Sequence, residues 1–173
     1  MKKRWMAVAL TAILLMAVGG AIGTVSVRQE SENVYDLYFV ERDLRAASGG
    51  DALRAEERAL SGGADSTAQQ AEALMAELLK GPVDQTLKSP FPKGTGLNSV
   101  EQKGTEIHVD FSAVYGTLSG MDLTLADYAV TMTLAQLPDV ARVRITVAGN
   151  NLDYRSRQVF LIRDILFAPK EDV

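Results

Sequence analysis

Cysteine is absent from this chain, histidine occurs once, and basic residues are outnumbered by acidic ones, 18 to 22. The missing thiols exclude disulfides, cysteine nucleophiles, Cys-based zinc sites and iron–sulfur clusters, and also a lipid-modified cysteine at the start of a mature lipoprotein. A single histidine, His108, excludes a multi-histidine metal site and an HEXXH motif. The net charge of −4 argues against a general nucleic-acid binder, which needs a basic patch. Lys93-Gly94-Thr95-Gly96 lacks the spacing of a phosphate-binding loop and leads into a strand, not a helix. An acidic calcium-loop pattern is also missing. The residues therefore point to no cofactor, no metal and no catalytic group.

What remains is 173 residues, 47% apolar and 23% charged, an ordinary globular mixture sized for one domain. The hydrophobicity is concentrated at the start. Lys2, Lys3 and Arg4 precede an uncharged run from Trp5 to Val27. About 20 helical residues cross the roughly 30 Å hydrocarbon core, so this run is long enough to span a membrane. The three cations stay cytoplasmic under the positive-inside rule, and all 22 acidic residues follow on the far side. The run reads as a retained anchor; Ala21-Ile22-Gly23 offers the alternative, a cleaved signal peptide and a secreted protein. On either reading the rest is exported. Residues 1–27 are thus anchor or signal, 28–32 a polar spacer, 33–167 one extracytoplasmic domain and 168–173 a tail.

Within that domain, Asn33–Glu41 is rich in aromatic and β-branched residues and predicts a strand, with Tyr35, Leu37 and Phe39 on one face. The segment 42–63 is ambiguous, because two Ser-Gly-Gly runs bracket a charged stretch, Ala52–Leu60, that suits a strand or a short helix. Ser66 and Gln69 form a capping-box pattern ahead of Ala71, Leu74, Met75 and Leu78 at helical spacing, and Gly81-Pro82 ends the helix. A hairpin follows, Leu97–Gln102 and Glu106–Phe111 around Lys103-Gly104. A second helix covers about Asp122–Leu137, then a strand around Val143, Ile145 and Val147, then an edge strand at Val159–Ile162. Two amphipathic helices on one face of a small mixed sheet make a two-layer α+β fold. Leu37, Phe39, Leu74, Leu78, Ile107, Val109, Phe111, Val130, Leu134, Val143 and Ile145 are its expected core. Glu106, His108, Asp110, Arg142, Arg144 and Thr146 fall on the opposite sheet face.

Several of these stretches together resemble the GerMN domain of spore germination and sporulation proteins. They are Val34-Tyr35-Asp36-Leu37-Tyr38-Phe39-Val40, the helix Ala71–Pro82, Pro92-Lys93-Gly94-Thr95-Gly96-Leu97, Val109-Asp110-Phe111-Ser112, Thr131–Leu134 through Pro138-Asp139-Val140, and Val143-Arg144-Ile145. The resemblance spans about Asn33 to Gly149. It implies a fold like the ring-building motifs of envelope secretion machines. It also implies a non-enzymatic extracytoplasmic module in sporulation, germination or envelope assembly, which self-associates or docks on envelope proteins. The chain departs from many members in having no lipidated cysteine and room for only one such domain.

The residues suggest two kinds of site. His108, Asp110 and Ser112 share one strand face and are the only set suggestive of hydrolysis, but a flat sheet offers no cleft for a triad. Ion pairs with Arg142 and Arg144 are the expected role of that face, with Asp110 and Ser112 shaping the strand exit. The second helix is more telling. Between Leu123 and Leu137 only Asp127 is charged. Leu123, Ala126, Val130, Thr133, Leu134 and Leu137 form the core stripe, leaving Thr124, Leu125, Tyr128, Thr131 and Met132 on the other side. Leu125, Tyr128 and Met132 are the candidate interface; the alternative is that segment 42–60 or the C-terminal tail covers them. Binding of a cell-wall polymer such as peptidoglycan is a second functional reading, with Tyr115, His108, Arg142 and Arg144 as its candidates.

Overall fold

The computed structural model describes residues 33–43, 52–60 and 66–166. The expected anchor, spacer and tail lie outside the described residues. Among the described residues no helix is long and apolar enough to cross a membrane.

The elements run β1 (Asn33–Glu41), β2 (Leu53–Leu60), α1 (Thr67–Lys80), β3 (Leu87–Lys88), β4 (Leu97–Lys103), β5 (Glu106–Phe111), a 3-10 turn (Ala113–Thr117), α2 (Gly120–Leu134), β6 (Arg142–Val147), β7 (Val159–Leu161) and α3 (Ile162–Leu166). The architecture is α+β, but the single small sheet expected from sequence is in fact two. One is antiparallel, in the order β2-β1-β3; the other runs β4-β5-β6-β7. In the second sheet β5 and β6 are parallel and the remaining pairs antiparallel. Helix α2 makes the crossover that a parallel pair requires.

Thr133 of α2 and Gln136, in the turn just after it, explain why the sheets do not merge. β1 pairs with β2 along nearly its whole length, whereas β3 meets only Val40 and Glu41 on the other edge. Farther along that edge, Gln136 takes the place of a strand. Its Oε1 accepts from the Asp36 N–H at 2.8 Å, and its Nε2 donates to the Asp36 carbonyl at 2.6 Å. Thr133 Oγ1 accepts from the Tyr38 N–H at 3.2 Å. Backbone groups must find partners, and here an amide and a hydroxyl supply what another strand would have given.

The ambiguous stretch 52–60 is a strand. Arg54, Glu56 and Arg58 alternate onto one face of it. Arg58 reaches Glu56 at 2.5 Å, Glu77 of α1 at 3.8 Å and the Gly81 carbonyl at 3.0 Å. Glu56 in turn accepts the N–H groups of Val83 and Asp84 at 3.0 and 2.8 Å. Helix α1 starts where expected, with the Ser66 hydroxyl accepting from Gln69 N at 3.3 Å. It ends at Gly81, whose φ of 86° suits glycine alone.

All eleven expected core residues are fully buried. The core also holds an aromatic cluster that periodicity does not reveal. Phe111 stacks on Tyr115 with ring centroids 4.6 Å apart, and Phe91 tilts against both at 5.7 and 5.9 Å. Phe91 sits between two prolines in an irregular segment, and Tyr115 in a 3-10 turn, so neither belongs to a repeating pattern.

Candidate functional site

The polar face of the second sheet is a network of structural bonds. Arg144 Nε lies 2.9 Å from Glu106 Oε1, and Arg142 Nε 3.9 Å from Glu106 Oε2. Asp110 is buried rather than solvated. Its Oδ1 accepts from the Thr146 hydroxyl at 2.6 Å and from Gly149 N at 2.8 Å, while Asn98 Nδ2 donates to its Oδ2 at 2.8 Å. Burial pushes the Asp110 carboxyl up, but these three donors outweigh it and hold the group below the usual carboxylate range. Thr146 gives its one proton to Asp110, so His108 Nε2, 2.9 Å away, must be the donor in their contact. Ser112 Oγ accepts from Gly96 N at 2.9 Å. Each member of the His108–Asp110–Ser112 set is thus tied to a turn or a neighbouring strand.

Helix α2 is shifted toward the N-terminus of the span expected for it, and its back is less exposed than the sequence suggests. The core stripe is buried as expected. Thr131, expected on the outer side, is also fully buried and donates to the Asp127 carbonyl at 2.8 Å. Leu125 and Met132 are half-buried, and Tyr128 is 39% exposed. The C-terminal segment covers part of this side, with Phe160 meeting Tyr128 edge-on at 6.4 Å and 85°.

Asp127 points inward. Tyr115 Oη donates to its Oδ1 at 2.7 Å, and Arg155 Nη2 donates to the same oxygen at 2.9 Å. Arg155 Nη1 continues to the Ile145 carbonyl at 2.8 Å. The ion pair is almost dry, with side-chain exposures of 3% and 4%. Burial raises the Asp127 carboxyl to about 6 against the opposing pull of Arg155 and Tyr115. Burial, with Asp127 beside it, likewise pushes the Tyr115 phenol well up. Tyr115 therefore belongs to the core and cannot line a surface groove. Sequence reading missed this pair, although a lone charge inside an apolar helix is itself a signal that a buried cation must exist.

Two recesses flank α2. One, about 210 Å³, lies between Leu125 and the Pro90-Phe91-Pro92 segment, with Val40 and Leu118. The other, about 480 Å³, lies between α2 and the loop 152–158, and Asp127 and Arg155 are among the residues that line it. Among the described residues no cluster of His, Asp or Glu is suited to hold a metal ion.

Residues 36–153 match the Germane family, described as sporulation and spore germination. The chain belongs to this family. Germane proteins are not a known enzyme family. The fold is that of GerMN domains. The first GerMN domain of the sporulation protein GerM from Bacillus subtilis is 24% identical, with a TM-score of 0.52 over 69% of this chain and 86% of that one. The tandem GerMN domains of the same protein give 19% identity and a TM-score of 0.56; the match takes in 76% of this chain and 47% of theirs. A Clostridium perfringens protein described as a lipoprotein gives 19% identity and a TM-score of 0.50 over 79% and 91%. No curated protein matches the chain. The Germane match takes in β1 from Asp36 onward and the Asp127–Tyr115 contact but stops before Arg155.

Proposed function

We infer that this Germane domain is a non-enzymatic extracytoplasmic interaction module of a sporulation, germination or envelope assembly. Its N-terminal segment holds it to the membrane, and it self-associates or docks on envelope proteins. The observation that carries this reading is the outer side of α2. Asp122, in the first turn, is exposed, but Asp127 is buried, so beyond Asp122 the outer side of the helix, with Leu125 and Tyr128, carries no charge, and Met121 at its start is 71% exposed. A solvated helix normally carries charges there, and Met and aromatic residues are enriched at interface centres. That His108, Asp110 and Ser112 are each engaged in structural bonds supports a role other than hydrolysis. The lipoprotein and sporulation descriptions of the similar structures support an envelope location.

The test uses the full-length chain in detergent, followed by sedimentation and by pull-down from the membrane fraction. Met121→Lys combined with Leu125→Glu is expected to abolish association while leaving the unfolding transition in place. Association at the native level in the folded variant would remove α2 from the interface.

A further inference from the structure

We propose that the recess between α2 and the loop 152–158 is a binding site for a neutral glycan chain. Its size, about 480 Å³, lies in the roughly 300–1,000 Å³ range of small-ligand sites. Tyr128 and Thr124 line it from α2, and Tyr154, Ser156 and Arg157 from the loop.

Tyr154 is the telling residue. A surface tyrosine ordinarily buries its ring and keeps its hydroxyl in water. Tyr154 does the reverse: its hydroxyl is anchored on the Gly116 carbonyl while the residue remains 55% exposed. What it offers a ligand is therefore the apolar ring. Tyr128 offers a second ring, steadied by Phe160. The loop between them is fixed from within. Arg155 N donates to the Leu152 carbonyl at 3.0 Å, Gln158 Nε2 to the same carbonyl at 2.7 Å, and the Arg155 guanidinium is locked on Asp127 and Ile145. Two aromatic walls held in place before a ligand arrives lower the ordering cost of binding.

The charges select among ligands. Arg155 is neutralised by Asp127, and Arg157 faces Asp164 at 3.7 Å, so the recess carries no surplus positive charge for a phosphate or a nucleic acid. A pyranose chain fits the remaining chemistry. Its C–H faces lie on aromatic rings, and its hydroxyls meet Thr124 and Ser156 at the edges. This site shares Tyr128 with the docking side but lies on the flank of α2 away from Leu125, and neither Met121 nor Leu125 lines it.

The experiment titrates the full-length chain, in a detergent without a sugar headgroup, with chitotetraose, and cosediments it with purified peptidoglycan. Saturable binding to both is expected. Tyr154→Ala should weaken chitotetraose binding about tenfold, the loss of one stacked ring. Tyr154→Phe, which keeps the ring but loses its anchor on the Gly116 carbonyl, should weaken binding less than Tyr154→Ala. Met121→Lys with Leu125→Glu should bind sugar normally, which separates this site from the docking face. The proposal is overturned by no saturable binding of the native chain, by native affinity in folded Tyr154→Ala, or by loss of binding in Arg157→Gln alone, which would mark an anion site.

Discussion

Asp110, at the end of β5, and Asp127, in the middle of α2, are both buried aspartates, yet their surroundings move them in opposite directions. Asp110 is held below the usual carboxylate range and Asp127 is raised to about 6. Asp127 has the full positive charge beside it, so proximity of a cation does not decide the outcome. Asp110 divides three short-range donors between its two oxygens. For Asp127, Tyr115 and Arg155 converge on one oxygen deep between helix and sheet, and the cost of leaving water wins. Three neutral donors, from β4, β6 and the turn after β6, solvate a carboxylate better than one buried guanidinium and a phenol do.

The two groups therefore bend stability in opposite senses with pH. Asp127, whose folded value lies above its unfolded value of about 3.8, contributes most below that value and loses its contribution as pH rises through about 6. Asp110, depressed in the fold, contributes above its unfolded value and loses that contribution as pH falls through its lower folded value.

The contrast can be broken most forcefully at Arg155. Arg155→Met leaves the Asp127 carboxylate buried without a cation and should cost about 3–5 kcal/mol at pH 7.5. Urea unfolding repeated at pH 5 should show a smaller loss, because Asp127 then takes up a proton; an equal loss at both pH values would mean that Asp127 is not the group left stranded. A smaller effect is expected at Asp110. Asp110→Asn keeps an acceptor for Thr146 but turns an amide toward one of the donors, for a cost of about 1–2 kcal/mol at neutral pH. Acid unfolding of this variant should lack the decline due to Asp110 below about pH 3.8. An acid profile identical to that of the native chain would refute the assignment. Glu106→Gln is the mildest. Its partner Arg144 is 35% exposed, so breaking the pair should cost about 0.5 kcal/mol and fade with added salt. A salt-independent loss above 2 kcal/mol would place Glu106 in the same class as Asp127.

The core was readable in the sequence because alternation along β5 and β6 and helical spacing along α1 report burial directly. The division into two sheets was not. It depends on Gln136 and Thr133 meeting β1 about 100 residues away, and side chains that imitate a strand leave no periodic trace. β2 was obscured for a related reason. Arg54, Glu56 and Arg58 share the face that turns toward the rest of the domain, where ion pairs with Glu41, Asp84 and Glu77 replace the apolar residues that mark a buried strand. At the candidate site, the absence of exposed charge on α2 beyond Asp122 was legible. The recess beside it was not, because its second wall is the irregular loop 152–158, which has no periodicity to read.

The hydrogen bonds from Gln136 and Thr133 carry a further consequence. β1 combines high β-propensity with a hydrophobic face, and along Asp36–Tyr38 its second edge is protected by side chains rather than by another strand. Whenever α2 detaches, that edge becomes a template on which extended chains can grow. The protection of this edge against pairing with another chain thus rests on the last turn of α2 and the turn that follows it.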